Sequence, residues 1–483
     1  MTNNPREQIA DRLALHIAEQ LAELSYRHID ARGREVAILA LSDTVSVASA
    51  ASRSPSSIII SGYLKQFGAP GTCSLIAGHG KFDAADAAFA NGVSAHALDL
   101  DDGNEDILGH PSAVLVPTIL ALAEELDKKP ADAITAYAAG IEVMVRLGRT
   151  VNPTLYSRGW HPTSTLGVFG AAAASAKLLG LDRAHTSAAL ALAASRASGI
   201  KANFGTMAKA LHVGNAARDG IVCARLAAKG FSGSHGALDD AQGFLPLFVG
   251  PDLDVSPILA KGRPIINTVN NPIKFYGCCA STHAAVQASL NLHQQFRDAP
   301  PHLINRIAVH VDPARLPHTD RAELDTSLEG KFSMQYVVAC ALVDGKLSLG
   351  HFEGDSFRRE EICQVMKKVD LRPDIPEGLP NCYDALVELI DCRHQVIAFA
   401  RVNGEAVIGP EAGSLGNPAA WAKFDDCLSV AFSLNERTCI TRAMRDFEHL
   451  QSVKTLMQHL IPGSPVRADG GVATQPMIGA DHA

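Results

Sequence analysis

The chain opens on a helical stripe: Ile9, Leu13, Ile17, Leu21 and Leu24 recur at spacings of four, four, four and three, with Arg6, Glu7, Glu19 and Gln20 off the stripe. That spacing predicts an amphipathic helix lying on a core by one face. A second helix is predicted over about 34–52, followed by a loop-rich passage, SRSPSS and SGYLKQFGAPG, punctuated by Gly and Pro. From about 83 to 230 the stripe gives way to segments rich in Ala on all sides, such as DAADAAFANGVSAHALD, GVFGAAAASAKLLGLD and GNAARDGIVCARLAAKGF. Small side chains all round predict closely apposed helices inside a bundle.

The pattern changes after Pro264. INRIAVHVDP (304–313) alternates Ile307, Val309 and Val311 with Ala308, His310 and Asp312. RHQVIAFARVNGEAVIG (393–409) offers two short apolar runs joined by Asn403-Gly404, a strong hairpin signal. GPEAGSLGNPAAW (409–421) reads as a linker, after which FDDCLSVAFSL and FEHLQSVKTLMQHL return to helical patterning. The expected fold is therefore mainly α: a large, discontinuous all-α domain with a smaller α+β domain inserted in it. We place the boundaries at 1–268 for the first helical part, 269–404 for the α+β part, 405–462 for the returning helices and 463–483 for a disordered tail without periodicity.

Composition narrows the function classes. The net charge of −8, with no Lys/Arg run, argues against nucleic acid as a partner, and leaves room for a local basic pocket. Ten cysteines without a C-x-x-C pair argue against a zinc ribbon and a secreted disulfide framework, so a reducing cytoplasm is expected. The first twenty residues lack the apolar core of a signal peptide, and Pro117, Glu124 and Lys177 interrupt the strongest apolar runs, so no membrane span is expected. GHGK at 78–81 has neither Walker nor G-x-G-x-x-G spacing and reads as a turn.

The densest chemistry lies in HALDLDDGNEDILGHPS (96–112), where Asp99, Asp101, Asp102, Glu105 and Asp106 fall between His96 and His110, just before the apolar AVLVPTILALAEEL. An EF-hand register fails, because position five from Asp99 is Gly103 and position twelve is His110. A looser Asp/His metal site is compatible with the ligand types, but nothing in the spacing fixes one. Beyond this loop, His161 in RGWHPTSTLG, Lys209 in NFGTMAKALHVG, Lys274 in NPIKFYGCCASTH and Tyr336 in KFSMQYVVACAL stand out. His110 and His161 each precede Pro and a hydroxyl residue ahead of small apolar residues, the signature of a helix mouth, where an imidazole is held neutral beside an anion. Such a histidine can equally be a bystander to a cap. Lys209 and Lys274 sit in apolar contexts and need an anionic partner, such as a ligand between the domains, or a route to solvent. Cys278 and Cys279 are read as packing thiols and the acids around Asp99 as a solvated loop.

With these segments assembled, the chain resembles the MmgE/PrpD family over about 5–460, in five blocks and in the family's order. The blocks are HALDLDDGNEDILGHPSAVLVPTILALAE, GWHPTSTLGVFGAAAASAKLLGL, ASGIKANFGTMAKALHVGNAARDGI, KFYGCCASTHAA and KFSMQYVVACALVDG. The resemblance implies a pocket between a helical domain and a lid domain, a homodimer, and chemistry without metal or organic cofactor. It implies catalytic roles for Asp99, His110, His161 and Tyr336, and substrate contacts for Lys209, Lys274 and His283. The implied activity is a hydro-lyase on a di- or tricarboxylate of the 2-methylcitrate type. Alternatives are a cis-aconitate-type decarboxylase, a dicarboxylate epimerase, and a non-catalytic carboxylate-binding protein on the same fold. Departures from the usual family pattern fall at Lys274-Phe275-Tyr276-Gly277 and at Gly103-Asn104.

Overall fold

The computed structural model describes residues 13–298, 303–374, 383–404, 407 and 414–463. The anticipated tail beyond 463 and Ile9 of the first stripe lie outside these residues. The rest of that stripe is buried as anticipated, in α1 (Leu13–Glu23) and at Leu24 just after it. Counting helices of seven residues or more, the chain continues through α2 (Ala31–Ala50), α3 (Pro55–Phe67), α4 (Ala84–Ala97), α5 (Pro111–Glu125), α6 (Pro130–Val151), α7 (Gly167–Leu179), α8 (Arg183–Ala194) and α9 (Met207–Ala228). Helix α2 starts earlier than expected because Asp30 caps it, accepting from the Gly33 N–H at 2.9 Å. The passage after it is not loop-rich. Pro55 stands at the first position of α3, where its missing N–H costs nothing, and Ser54 caps the helix by accepting from Ser57.

Helices α2, α4, α5, α6 and α7 are buried over most of their length, which the Ala-rich composition allows. Helices α4 and α9 approach closely. A Cβ on Gly214 would lie 2.5 Å from the Phe89 carbonyl oxygen, and one on Gly92 would meet the Gly214 Cα at 3.0 Å. This pairing brings the C-terminal end of α4 against the N-terminal end of α9. The segment Ala31–Arg53 is long and apolar enough to cross a bilayer, yet 83% of its apolar window is buried inside this core.

The smaller part contains α10 (His283–Asp298), α11 (Met334–Asp344) and α12 (Glu360–Met366). After the short β1–β2 ribbon (Pro70–Ser74, Lys81–Phe82), which is joined by the turn containing GHGK, the four remaining strands form one sheet in this part. They are β3 (Ile304–His310), β4 (Val369–Arg372), β5 (Ala385–Asp391) and β6 (Val396–Val402), in the order β4-β3-β5-β6. Strand β3 runs parallel to β4 and antiparallel to β5, with Ile307 opposite both Val369 and Leu389. The hairpin between β5 and β6 does not turn at Asn403-Gly404. It turns at Cys392–Gln395, where Asp391 Oδ1 accepts from the backbone N–H of Arg393 and Gln395 and His394 takes a left-handed conformation. Gly404 instead packs against Tyr383 and donates to Asp384.

The chain then returns through α13 (Pro418–Leu428), α14 (Leu434–Arg445) and α15 (Val453–His459). One apolar core draws on residues from Leu13 to Ile273 and again from Ala420 to Leu460. A second runs from Cys278 to Val407. The fold is thus mainly α, with a smaller sheet-containing part inserted in a discontinuous helical one.

Candidate active site

Between the two cores lies a cavity of about 600 Å³ whose walls include Arg53, His96, Asp99, Lys209, Lys331 and Phe332. Asp99 is its centre. It follows α4 in a left-handed backbone conformation, φ +53°, which costs a non-glycine residue about 1–2 kcal/mol. Its Oδ1 accepts from Lys209 Nζ and Lys274 Nζ, each at 2.9 Å, and its carbonyl oxygen accepts from Lys274 as well. The two lysines therefore find their anionic partner inside the protein, not only in a ligand. Burial works to raise Asp99, but the two ammonium groups outweigh it and hold the carboxyl well below its ordinary value. Lys274 is raised: burial opposes its charge, and Asp99 and Asp101 overcome that.

The acidic loop is solvated only at Glu105 and in part at Asp106. Asp99, Asp101 and Asp102 are 4%, 0% and 0% exposed. Asp101 bonds His96 Nδ1 at 2.7 Å and is held low, burial being overcome by His96 and His110. Asp102 accepts from the Ser112 N–H at 3.2 Å and from the Ser112 hydroxyl at the start of α5; burial pushes it well above the carboxylate range, with Asp43 and Asp101 adding to the rise. Beneath the loop, Lys423 of α13 donates to Asp43 at 2.5 Å and to the Leu100 carbonyl at 2.9 Å, so the returning C-terminal helices help to fix it.

His110 is the N-cap residue of α5, and His161 holds the same place on the short helix Pro162–Thr165. The two His-Pro motifs are tied together: the His110 N–H donates to Thr163 Oγ1 at 3.1 Å, and Gly109 permits the approach, since a Cβ there would meet the Thr163 nitrogen at 2.9 Å. His110 Nδ1 lies 2.6 Å from the Asp102 carbonyl oxygen, which only accepts, so Nδ1 carries the proton and Nε2 the lone pair. That Nε2 is 3.8 Å from Asp99 Oδ1. Burial first, then Lys274, push His110 down to about 3. His161 is buried, stacks on His96 at 5.6 Å and shares a 3.2 Å hydrogen bond with His212 through their Nδ1 atoms. Burial and the neighbouring His96 hold it well below the usual imidazole value, and its buried Nε2 has no hydrogen-bond partner among the described residues.

Asp99, His110, Lys209 and Lys274 are thus brought together, with His161 joined to them through His96. Of the other two anticipated residues, His283 feels the charges of Lys274 and Asp99, and Tyr336 belongs to the second core. His283 is buried at the start of α10, its Nε2 bonded to the Cys278 carbonyl at 3.2 Å and its ring against Tyr276. Tyr336 lies in the second core, fully buried, and its hydroxyl donates to the His351 carbonyl. The phenol thus directs its proton into the second core. In the sequence His96 marks only the edge of the acidic loop, and His212 and Lys331 carry no signal, because their partners His161 and Leu98 lie 51 and 233 residues away. The reading of the paired cysteines needs one correction. Cys278 is a packing thiol pushed up to about 12 by burial, but Cys279 bonds to His318, which outweighs burial and brings the thiol down to about 7.

His96, Asp99, Asp101 and His110 offer donor atoms within 4.8 Å of one another, the one such group near the cavity among the described residues. Two ammonium groups already neutralise Asp99 through Oδ1 and would repel a cation placed beside it. The donor set fits a proton-transfer cluster better than a metal site.

Comparison with known proteins gives a consistent result. The chain matches the model of the MmgE/PrpD N-terminal domain over 15–255 and that of the MmgE/PrpD C-terminal domain over 276–449. It is similar to the human cis-aconitate decarboxylase, 33% identical over 306 residues covering 61% of this chain and 62% of the relative. The cis-aconitate decarboxylase of Mus musculus is 30% identical over 309 residues (62% and 63%), and that of Aspergillus terreus 29% over 329 residues (63% and 66%). The alignments span just under two thirds of these relatives. With matching domains on both sides of the Asp99 cavity, the chain belongs to the MmgE/PrpD family.

Proposed function

We propose that the chain is a carboxy-lyase acting on a small tricarboxylate of the cis-aconitate type. The observation that carries this is the buried Asp99, bridged by Lys209 and Lys274 and set beside the unprotonated imidazole of His110. The names of the relatives favour decarboxylation over the dehydration expected first from the sequence. In cis-aconitate, loss of CO₂ from the CH₂-carboxylate turns the released electron pair into a new double bond. The electrons of the old double bond move to the carbon beside the far carboxylate, and that carbon takes a proton.

Each ammonium has three N–H groups, of which Asp99 takes one from Lys209 and two from Lys274. Those remaining can hold the far carboxylate while its enolate forms, the kind of charge stabilisation that dominates catalysis in a water-poor site. A polyanion against His110 raises its proton affinity, so substrate binding charges the imidazole that then delivers the proton from Nε2. His161 supplies a second imidazole for the same substrate. For the homodimer implied by the resemblance, the exposed apolar side chains Ile58, Ile59, Tyr63 and Phe67 of α3 form the surface we favour.

The test is incubation with cis-aconitate, citrate and 2-methylcitrate in deuterated water. Release of CO₂ from cis-aconitate with one solvent deuterium in the product is the expected result. An unsaturated product from 2-methylcitrate without CO₂ would return the hydro-lyase reading, and deuterium exchange into unchanged substrate an epimerase.

A further inference from the structure

Lys331 is a third buried lysine, on the smaller part, and the cavity is bounded by it and by Asp99. It is 3% exposed, its Nζ donates to the Leu98 carbonyl at 2.5 Å, and it stands 5.4 Å from the Phe352 ring centre. Lys209 and Lys274 share a carboxylate; among the described residues no carboxylate lies within ion-pair distance of Lys331. An ammonium buried without a counter-ion is costly, and one carbonyl satisfies one of its three donors. The same cavity wall carries Arg53, exposed and in no ion pair among the described residues, and the N-terminal ends of α3 at Ser54 and α9 at Thr206. Both helix ends add positive potential. Glu353 is the other carboxylate on this wall besides Asp99.

We propose that Lys331, with Arg53 at the rim, forms a second carboxylate subsite that holds the substrate carboxylate not involved in the reaction and thereby selects tricarboxylates over dicarboxylates. The assignment rests on the tricarboxylate reading above. If Lys209 and Lys274 hold the carboxylate on the carbon that is protonated, and a second carboxylate leaves as CO₂, the central one is the group left for Lys331. Its protonation supports this. Burial brings Lys331 down to about 8, with Asp99 and Cys278 opposing that fall and Lys209 and Lys274 adding to it. A bound carboxylate raises it again, so binding at about pH 8.5 takes up a proton.

The experiment is calorimetric titration of the full chain with propane-1,2,3-tricarboxylate, which has no double bond to react, and with glutarate, which lacks only the central carboxylate. Two buffers of different ionisation enthalpy at about pH 8.5 measure the proton uptake. Lys331→Gln should weaken the tricarboxylate ~10-fold or more, leave glutarate within about twofold, and abolish the excess of proton uptake with the tricarboxylate over that with glutarate, the uptake at His110 being common to both ligands. Lys331→Arg should keep most of the affinity yet also lose that excess, because a guanidinium does not titrate there. Equal weakening of both ligands, or wild-type tricarboxylate affinity in Lys331→Gln, overturns the subsite. Wild-type protein that binds as expected but releases no CO₂ from cis-aconitate overturns the reaction and keeps the subsite. Turnover with an unchanged KM in Lys331→Gln does the reverse, and a wild-type chain that binds no tricarboxylate overturns both.

Discussion

The two walls of the cavity are built on opposite plans. On the helical side, every charge of the 96–110 loop that is buried has a partner within the same wall or in the strand-like segment laid across it: Asp99 with Lys209 and Lys274, Asp101 with His96, Asp102 with Ser112. On the opposite side, Lys331 stands among Phe332, Leu349 and Phe352 with a single carbonyl for company. A network of paired charges is preorganised and expensive to disturb, which suits groups that move protons; an underpaired cation gains most from a ligand, which suits selection. On the proposed function, the difference would assign reactivity and choice of substrate to different parts of the fold.

The comparison is broken most directly at His110. His110→Ala should lower kcat by ~10²–10⁴-fold with an intact fold, as loss of a general acid–base does, and a turnover equal to wild type would remove this wall from the chemistry. Next comes Asp99→Asn, which leaves two buried ammonium groups sharing a neutral amide. It should destabilise the protein by about 3–5 kcal/mol in denaturant titration, whereas Lys331→Gln should cost much less.

Acid offers a third test. His110 is down at about 3 in the fold against an ordinary value near 6.5, so the unfolded chain binds the extra proton first. The stability it contributes is present above about pH 6.5 and is lost as pH falls toward 3. Asp99, also held low, adds a second loss below about pH 4. Melting temperature followed from pH 7 to 4 should therefore decline in wild type, and less steeply in His110→Gln. The smallest effect is expected from Tyr336→Phe, which leaves the His351 carbonyl to the Ser356 hydroxyl alone at a cost of about 1 kcal/mol while turnover stays near wild type. A collapse of kcat there would show that the second core takes part in the reaction.

Local pattern made the helices legible and left the site half legible. The stripe Leu13, Ile17, Leu21 and Leu24 needs only a period of 3.6 to be read, and the Ala-rich segments announce close packing by composition. The hairpin was misplaced because Asp391, not the Asn-Gly pair, supplies the turn, and a single side-chain cap leaves a fainter trace than a favoured dipeptide. The pairing of Asp99 is hidden for a different reason. Lys209 and Lys274 come 110 and 175 residues after Asp99, and nothing local tells a run of acids that its counter-ions will arrive from elsewhere. His110 and His161 were legible because each carries its own helix start.

The connection that carries Lys274 has a mechanical consequence. The acidic loop grips it at three points before it enters the smaller part: the Gly103 N–H on the Pro272 carbonyl at 2.9 Å, Asn104 on Asn271 at 2.8 Å, and Lys274 on Asp99. A pivot for the smaller part therefore begins only after Lys274, near Phe275–Gly277. Any rotation about it leaves Lys274 anchored and swings Lys331 on the moving arm, so the bond from Lys331 to Leu98 is the latch that such a motion must release.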